Sequence, residues 1–366
     1  MHRRDFLISS AAAVAVAQNT NDAVATAVIG VGNRGHHLLT TGMKVPVARF
    51  VALCDIKPDR LDRAATTPAR DKPSTTTDWK RIIERKDVQA VYIATPCDLH
   101  ADMAIAALEA GKHVYLEKPA GVTPEQVRDL VRVARKSKTV FQIGQQMRSN
   151  ERHAKVIEKL REGIAGKIIM VKAQRHASDD LSHTGPSADW FFDSRRSGDV
   201  IVEMSVHNLD LCNWAIGSRP ARAGGFGGNL LWVNDPPGRN TMDGYSLTYE
   251  YVNGVKLSYT QVFFHPGGMP GGGQYMYVYG TEGAVDMNSA TFYPRARGAK
   301  PVVLGEPAQE QLDVKHLSSF YESIRTGKKP VADIEAAATG ALTAILGREA
   351  IYRKRVMQWD DMGVTL

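Results

Sequence analysis

Ala25-Thr-Ala-Val-Ile-Gly-Val-Gly-Asn-Arg-Gly35 is the stretch on which the fold of this chain turns. Small and β-branched residues (Ala27, Val28, Ile29) run into Gly30-Val31-Gly32-Asn33-Arg34-Gly35, and a helix-compatible segment follows. That order is strand, glycine turn, helix. Gly30 permits the tight turn, Gly32 lets the backbone approach a pyrophosphate, and Gly35 lets the helix pack closely on its strand. The helix start then offers free N–H groups and the positive end of its dipole to phosphates. A glycine pattern alone is a weak signal, but Val51-Ala-Leu-Cys-Asp55 reads as a second strand. Its acid lies 25 residues after Gly30, where a carboxylate meets adenosine ribose hydroxyls. Together they favour a dinucleotide site over a turn without a ligand. Asp55 repels a 2′-phosphate, which favours NAD, while Lys57 and Arg60 keep NADP open.

Strand and helix patterns alternate from Val24 to about Gly144, which predicts a doubly wound parallel sheet and a nucleotide-binding domain over 24–144. Val88–Thr95, Lys112–Leu116 and Val140–Gly144 read as further strands. Asp98 is expected to cap the helix through Met103, Ile105, Ala106 and Leu108, and Gly111 to stop it. Thr123-Pro124-Glu125-Gln126 is a helix start, followed by Val127, Leu130, Val131 and Ala134 on one face.

After Gly144 the pattern changes to a predicted α+β domain over 145–366, for substrate binding and oligomerisation. Glu151–Glu162 reads as a helix. Ile168–Gln174, Ser246–Tyr251, Val255–Phe264, Gln274–Tyr279 and Ala284–Met287 read as a large, mostly antiparallel sheet. Its exposed face suits a homo-oligomer, a dimer or tetramer. A last helix, about Asp333 to Lys354, is placed to pack back on the first domain. Two insertions interrupt the sheet: polar His176–Arg196, containing Trp190, and glycine-rich Pro266–Gly273. Either is a loop over a site or a plain solvated loop.

With 366 residues and 43% apolar composition, the chain is long enough for two domains with sizeable cores. The net charge of +7 is dispersed, and its densest basic pieces are short and lack aromatic interleaving. That pattern fits a solvated face or an anionic cofactor, and no nucleic-acid partner is expected. Three cysteines (Cys54, Cys97, Cys212) sit in or beside predicted core elements and read as free buried thiols. The first 17 residues read as a secretory signal: a charged start, apolar Ile8–Val16, then Ala15-Val16-Ala17. Arg3-Arg4 before Phe6-Leu7 resembles the twin-arginine export signal, which moves folded proteins to the periplasm. A disordered N-terminus is the alternative. No apolar run long enough to span a membrane follows it.

Two groups of residues carry chemistry. Lys118 follows a core strand at the carboxyl edge of the sheet, where open α/β folds place ligands. A lysine half-buried beside a nicotinamide cation is a usable proton acceptor; a surface lysine ending a strand is the other reading. Glu203, His207 and Asp210 are spaced i, i+4, i+7, one stripe of a helix. An acid and a histidine on one face can hold two polyol hydroxyls or complete a proton relay, and a packed core histidine is the bland alternative. Metal is not expected, because no second histidine is phased with His207.

These motifs resemble the Gfo/Idh/MocA family of NAD(P)-dependent sugar and polyol oxidoreductases. The likeness runs from the GVGNRG turn through Ala94-Thr95-Pro96, His100 and Glu117-Lys118-Pro119, into Gly198–Asp210 and Gly280-Thr281-Glu282-Gly283. It implies cofactor contacts from Asn33, Arg34, Thr95, Pro96, His100, Glu117, Lys118 and Gln146, with NAD favoured. It implies Lys118 as the catalytic residue, with His207, Asp210 and Glu203 carried over from the helix motif, where the family more often has aspartate at the first acid. Gln145-Gln146-Met147-Arg148 matches the family's binding segment, which adds Arg148 as a substrate contact. His176, His183 and Trp190, with Asp179 and Asp180 in the same insertion, are further candidates against the carbohydrate. The activity implied is oxidation of a secondary hydroxyl of a sugar, polyol or glycoside. An exported enzyme meets no free NAD pool, so the cofactor must be tightly held. The alternative is a glycoside hydrolase or lyase that oxidises, eliminates, hydrates and reduces back on one NAD.

Overall fold

The computed structural model describes residues 23–67, 71–176, 189–270, 273–306 and 311–365. Met1–Ala17, the stretch expected to be an export signal, lies outside them, together with Asp179, Asp180 and His183. The first lobe alternates as the sequence predicts: β1 (Val24–Ile29), α1 (Asn33–Gly42), β2 (Ala48–Cys54), α2 (Pro58–Ala65), β3 (Ser74–Thr76), α3 (Trp79–Glu84), β4 (Ala90–Ile93), α4 (His100–Glu109), β5 (His113–Leu116), α5 (Pro124–Ala134) and β6 (Phe141–Ile143). All six strands pair in parallel, in the order β3-β2-β1-β4-β5-β6. The order reverses direction between β1 and β4, and that switch point is where such sheets open a ligand crevice. Every residue of β4 is buried, as are the last three of β5, because helices cover both faces and select continuous apolar runs. Thr123 caps α5 by accepting from the Gln126 N–H at 3.3 Å. Asp98 does not cap α4. A 3₁₀ turn (Cys97–Leu99) delays the helix to His100, and the Asp98 carboxylate turns to Arg196 instead.

The second lobe contains α6 (Glu151–Arg161), β7 (Ile168–His176), α7 (Asp189–Phe192), α8 (Ser194–Ser197), α9 (Asp199–Glu203), α10 (Val206–Ile216), β8 (Pro220–Gly228), β9 (Gly244–Tyr251), β10 (Lys256–Val262), β11 (Gln274–Gly280), β12 (Gly283–Asp286), β13 (Thr291–Pro294), β14 (Val302–Val303), α11 (Leu312–Thr326), α12 (Ile334–Tyr352) and β15 (Met357–Gln358). Its nine strands run β14-β13-β12-β11-β7-β10-β9-β8-β15. The pairing is antiparallel except between β7 and β10, so the sheet is mixed rather than a simple series of hairpins. Along β10, Leu257, Tyr259 and Gln261 are buried while Lys256, Ser258, Thr260 and Val262 are not. One face of the sheet therefore packs on helices and the other is open. β8 escapes sequence reading because of its glycines. A Cβ at Gly225 would lie 2.2 Å from the Ser246 carbonyl oxygen of the neighbouring strand, so glycine is what permits the pairing.

Both C-terminal helices return to the first lobe. α12 begins on Asp333, whose carboxylate accepts from the Ala336 N–H at 2.9 Å, and it packs on α5, β6 and α10. α11 is not among the elements expected from the sequence. Its Leu317, Phe320 and Tyr321 join Phe50, Tyr92 and Tyr115 in a core of their own beneath the first sheet. The Phe320 ring lies 6.0 Å from that of Tyr115, and the Tyr321 hydroxyl lies 2.7 Å from that of Tyr92. Among the described residues, no helix is long and apolar enough to cross a membrane. Phe320 is fully buried, so Phe320→Ala should lower the free energy of chemical unfolding by about 3–5 kcal/mol. A change under about 0.5 kcal/mol would contradict the packing of α11 under the sheet.

Candidate active site

The glycine turn closes as its sequence requires. Gly30 has φ +83°, and a Cβ there would lie 2.5 Å from the Ala94 carbonyl oxygen. A Cβ at Gly35 would lie 1.7 Å from the Gly30 carbonyl oxygen, so Gly35 serves the packing of α1 on the turn. α1 starts after Gly32 with no side chain capping it, which leaves its first amides to a ligand. Asp55 is buried at the end of β2. Its carboxylate accepts from the Val31 N–H at 2.9 Å and the Lys57 N–H at 3.0 Å, and Arg60 stands 3.9 Å away. The acid is therefore fixed to the turn and presented at the cleft.

A cleft of about 660 Å³ runs from this turn to the junction of the lobes. Its first-lobe wall contains Gly30, Gly32, Asn33, Arg34, Asp55, Thr95, Pro96, His100, Glu117 and Lys118. Gln146, Asp189, Trp190, Arg196, Glu203 and His207 line the opposite side. Arg34 is committed to the protein. Its Nε donates to Glu117 Oε1 at 2.7 Å, and its other two nitrogens donate to Asp313 of α11 at 3.2 and 3.3 Å. Gly144 leaves room for that glutamate, since a Cβ there would sit 2.7 Å from Glu117 Oε2. The His100 ring nitrogens lie 2.8 Å from the Pro119 carbonyl oxygen and 2.9 Å from that of Thr95, bracing two segments of the wall.

β5 ends at Leu116 and delivers Lys118 to the junction. Its Nζ donates to Glu203 Oε1 at 2.5 Å and to the Glu203 carbonyl oxygen at 2.6 Å. Glutamate, one methylene longer than aspartate, thus reaches the ammonium directly. His207 lines the same cleft and makes no hydrogen bond among the described residues. Burial, then the neighbouring Lys118 ammonium and Arg175 guanidinium, holds its imidazole well below the usual 6.5, so the ring is neutral at pH 7.

The single stripe predicted for Glu203, His207 and Asp210 does not form. α9 ends at Glu203, Met204 and Ser205 break the helix, and α10 begins at Val206. The Ser205 hydroxyl is held there by Gln261 and Tyr245. Asp210 is buried and takes a two-point hydrogen bond from Arg148, at 2.8 Å twice, while the Arg148 guanidinium lies over Trp214. Neither Asp210 nor Arg148 lines the cleft; each satisfies the other's buried charge. His176 is also outside, on the open face of β7, with Nε2 3.2 Å from Thr260 Oγ1. Sequence reasoning missed Asp189 and Arg196 as lining residues. Arg196 was legible only as the end of the polar insertion His176–Arg196.

Comparison with known proteins bears on this arrangement. The family model for the Gfo/Idh/MocA oxidoreductases, NAD-binding Rossmann fold, matches residues 24–145, and a Gfo/Idh/MocA C-terminal domain model matches residues 153–286. A glycosyl hydrolase family 109 protein of Stenotrophomonas maltophilia is 33% identical over 189 residues, which is 47% of this chain and 42% of that protein. The chain thus matches less than half the length of the glycosyl hydrolase relatives. The scyllo-inositol 2-dehydrogenase (NAD(+)) of Bacillus subtilis is 26% identical over 86% of this chain and 90% of its own. A levoglucosan dehydrogenase solved with NADH and L-sorbose shares the fold, with a TM-score of 0.80 at 19% identity over 93% of this chain and all of that one. NMR titration of His207 should give a pKa below 6.5 that rises toward 6.5 in Lys118→Met, because the substitution removes a neighbouring positive charge. An unchanged value would separate the two residues electrostatically.

Proposed function

The chain belongs to the Gfo/Idh/MocA oxidoreductase family, and from that premise we propose that it oxidises a secondary hydroxyl of a sugar, polyol or glycoside with tightly held NAD. The observation that carries this reading is Lys118 Nζ fixed by Glu203, with the uncommitted, neutral His207 imidazole on the same cleft. The residues present fit a dinucleotide. A side chain would fill the space at Gly30, no side chain caps α1, and the buried Asp55 carboxylate stands at the cleft. Gly30–Gly35 and the start of α1 would hold the phosphates, Asp55 the adenosine ribose, and Thr95, Pro96, Glu117 and Gln146 the nicotinamide half. When bound, NAD supplies the hydride acceptor for the carbon that carries the reacting hydroxyl.

The protein's own work is positioning and proton handling. Lys118 Nζ takes the proton of the substrate hydroxyl as one of its own passes to Glu203 Oε1, its hydrogen-bonded partner, so the ammonium relays the proton and the carboxylate receives it. His207 orients the same hydroxyl through a ring nitrogen that no protein group occupies among the described residues. Trp190 supplies an apolar wall for a sugar face.

A second reading draws support from the glycosyl hydrolase relatives and from the same free imidazole. A transient ketone acidifies the neighbouring C–H, and His207 is a base able to take that proton, so a glycosidic bond could be eliminated without a carboxylate pair. Aryl glycosides without added NAD separate the two. Phenol release with no net change in nicotinamide absorbance means hydrolysis; absorbance gained without phenol means oxidation.

We read Met1–Ala17 as a twin-arginine signal that exports the folded protein, cofactor included, to the periplasm. The open face of the nine-stranded sheet, with Met170, Tyr279 and Tyr293 exposed on it, suits a second copy of the chain. Lys118→Met should lower kcat by about 10²–10⁴-fold with bound dinucleotide unchanged. Turnover like that of the wild type would remove Lys118 from the mechanism.

A further inference from the structure

Arg196 is the one cleft residue whose charge reaches from the second lobe to an acid of the first among those described. Its Nε donates to Asp98 Oδ2 at 3.2 Å. Asp98 sits in the 3₁₀ turn Cys97–Leu99, directly after Thr95 and Pro96 of the cleft wall. Arg196 lies on α8, and Trp190, on α7 of the same segment, also lines the cleft. The pair therefore joins the two lobes beside the groove that starts at the glycine turn.

Both ends of this link are anchored. The Asp98 carbonyl oxygen accepts from Gln126 Nε2 at 2.9 Å, and Gln126 Oε1 accepts from the Val122 N–H at 2.8 Å, so the turn is tied to the start of α5. Asp98 Oδ1 is buried with no hydrogen-bond partner among the described residues, so no second donor there competes with Arg196 for the carboxylate. On the other side, Asp193 caps α8 by accepting from the Arg195 N–H. Three residues after Arg196, the buried Asp199 carboxylate accepts from the Met242 N–H and from the Tyr352 hydroxyl. That anchor leads straight into α9 and Glu203. A flexible surface pair would add little; a pair fixed at both ends holds a defined geometry.

We infer that Arg196 and Asp98 form a clasp between the lobes that slows release of the dinucleotide from the cleft. This rests on the proposed use of NAD and supplies its retention. The pair stands across the lobe junction at the groove's edge, so widening the groove there for a ligand to leave requires the ion pair to separate. Arg196 also adds a positive charge beside an anionic cofactor, which favours the bound state. Both residues act through position; neither donates to or accepts from the reacting hydroxyl.

The test is exchange kinetics on the full chain. NADH is bound, excess NAD is mixed in, and the loss of bound nicotinamide fluorescence gives the dissociation rate. Arg196→Ala and Asp98→Asn should each speed dissociation by about fivefold, the scale of a half-exposed ion pair. The charge-swapped double variant, Asp98→Arg with Arg196→Asp, should return the rate toward wild type, which loss of packing alone would not do. The Arg196 side chain is 42% exposed, so truncating it leaves the core intact if Asp98→Asn proves unstable. Unchanged rates in Arg196→Ala, or a double variant as fast as the singles, would overturn the clasp. If the wild type binds no NADH, the proposed cofactor use fails first; if it binds and the variants release at the wild-type rate, the clasp alone fails.

Discussion

The Lys118 ammonium against Glu203 is the contact on which the site depends, because its two members come from different lobes. Lys118 is set by β5, whose buried run is fixed between β4 and β6 of the parallel sheet. Glu203 is set by the end of α9, where the chain breaks for two residues before α10. The break matters because it turns the Glu203 carbonyl oxygen, as well as its carboxylate, toward the same Nζ. Lys118 thus has two acceptors in one residue and a single defined position. Removing either partner would leave a half-buried charge unpaired at the junction, which costs more than the pair contributes.

A second set of charges does for the cofactor end what this pair does for the reacting end. Arg34 leaves the glycine turn and joins Glu117, the residue before Lys118, to Asp313 on α11. Turn, strand end and C-terminal helix are therefore linked through one guanidinium. Charge-assisted hydrogen bonds of this kind are directional and shorter than neutral ones, so they fix geometry as well as adding energy. Arg34 was expected to meet the cofactor from the sequence; it lines the cleft, but its nitrogens serve this link. The aromatic core of Tyr92, Tyr115, Phe320 and Tyr321 lies beneath it and keeps α11 in place.

What the sequence revealed follows from range. The strand–turn–helix at Val24–Gly42 and the acid at Asp55 are local patterns with a local cause, and Thr123 caps its helix for the same reason. The end of α9 carried no such mark. Glu203-Met204-Ser205-Val206 has no glycine or proline, and the tertiary grip of Gln261 and Tyr245 on Ser205 makes the break. Asp210 and Arg148 are 62 residues apart, so their mutual pairing was invisible, and each looked like a free site residue. α11 did carry a readable signal, since Leu317, Phe320, Tyr321 and Ile324 are spaced as one helical face. Its position under the first sheet did not, because nothing local ties residue 320 to residue 92.

The most direct measurement is a crystal structure of the protein with NADH and a sugar. The expected result is density for a dinucleotide running from the Gly30–Gly35 turn to the lobe junction, with Lys118 Nζ and His207 facing the sugar. An empty groove, or a Lys118 side chain swung from Glu203 into bulk water with the sugar bound elsewhere, would contradict it.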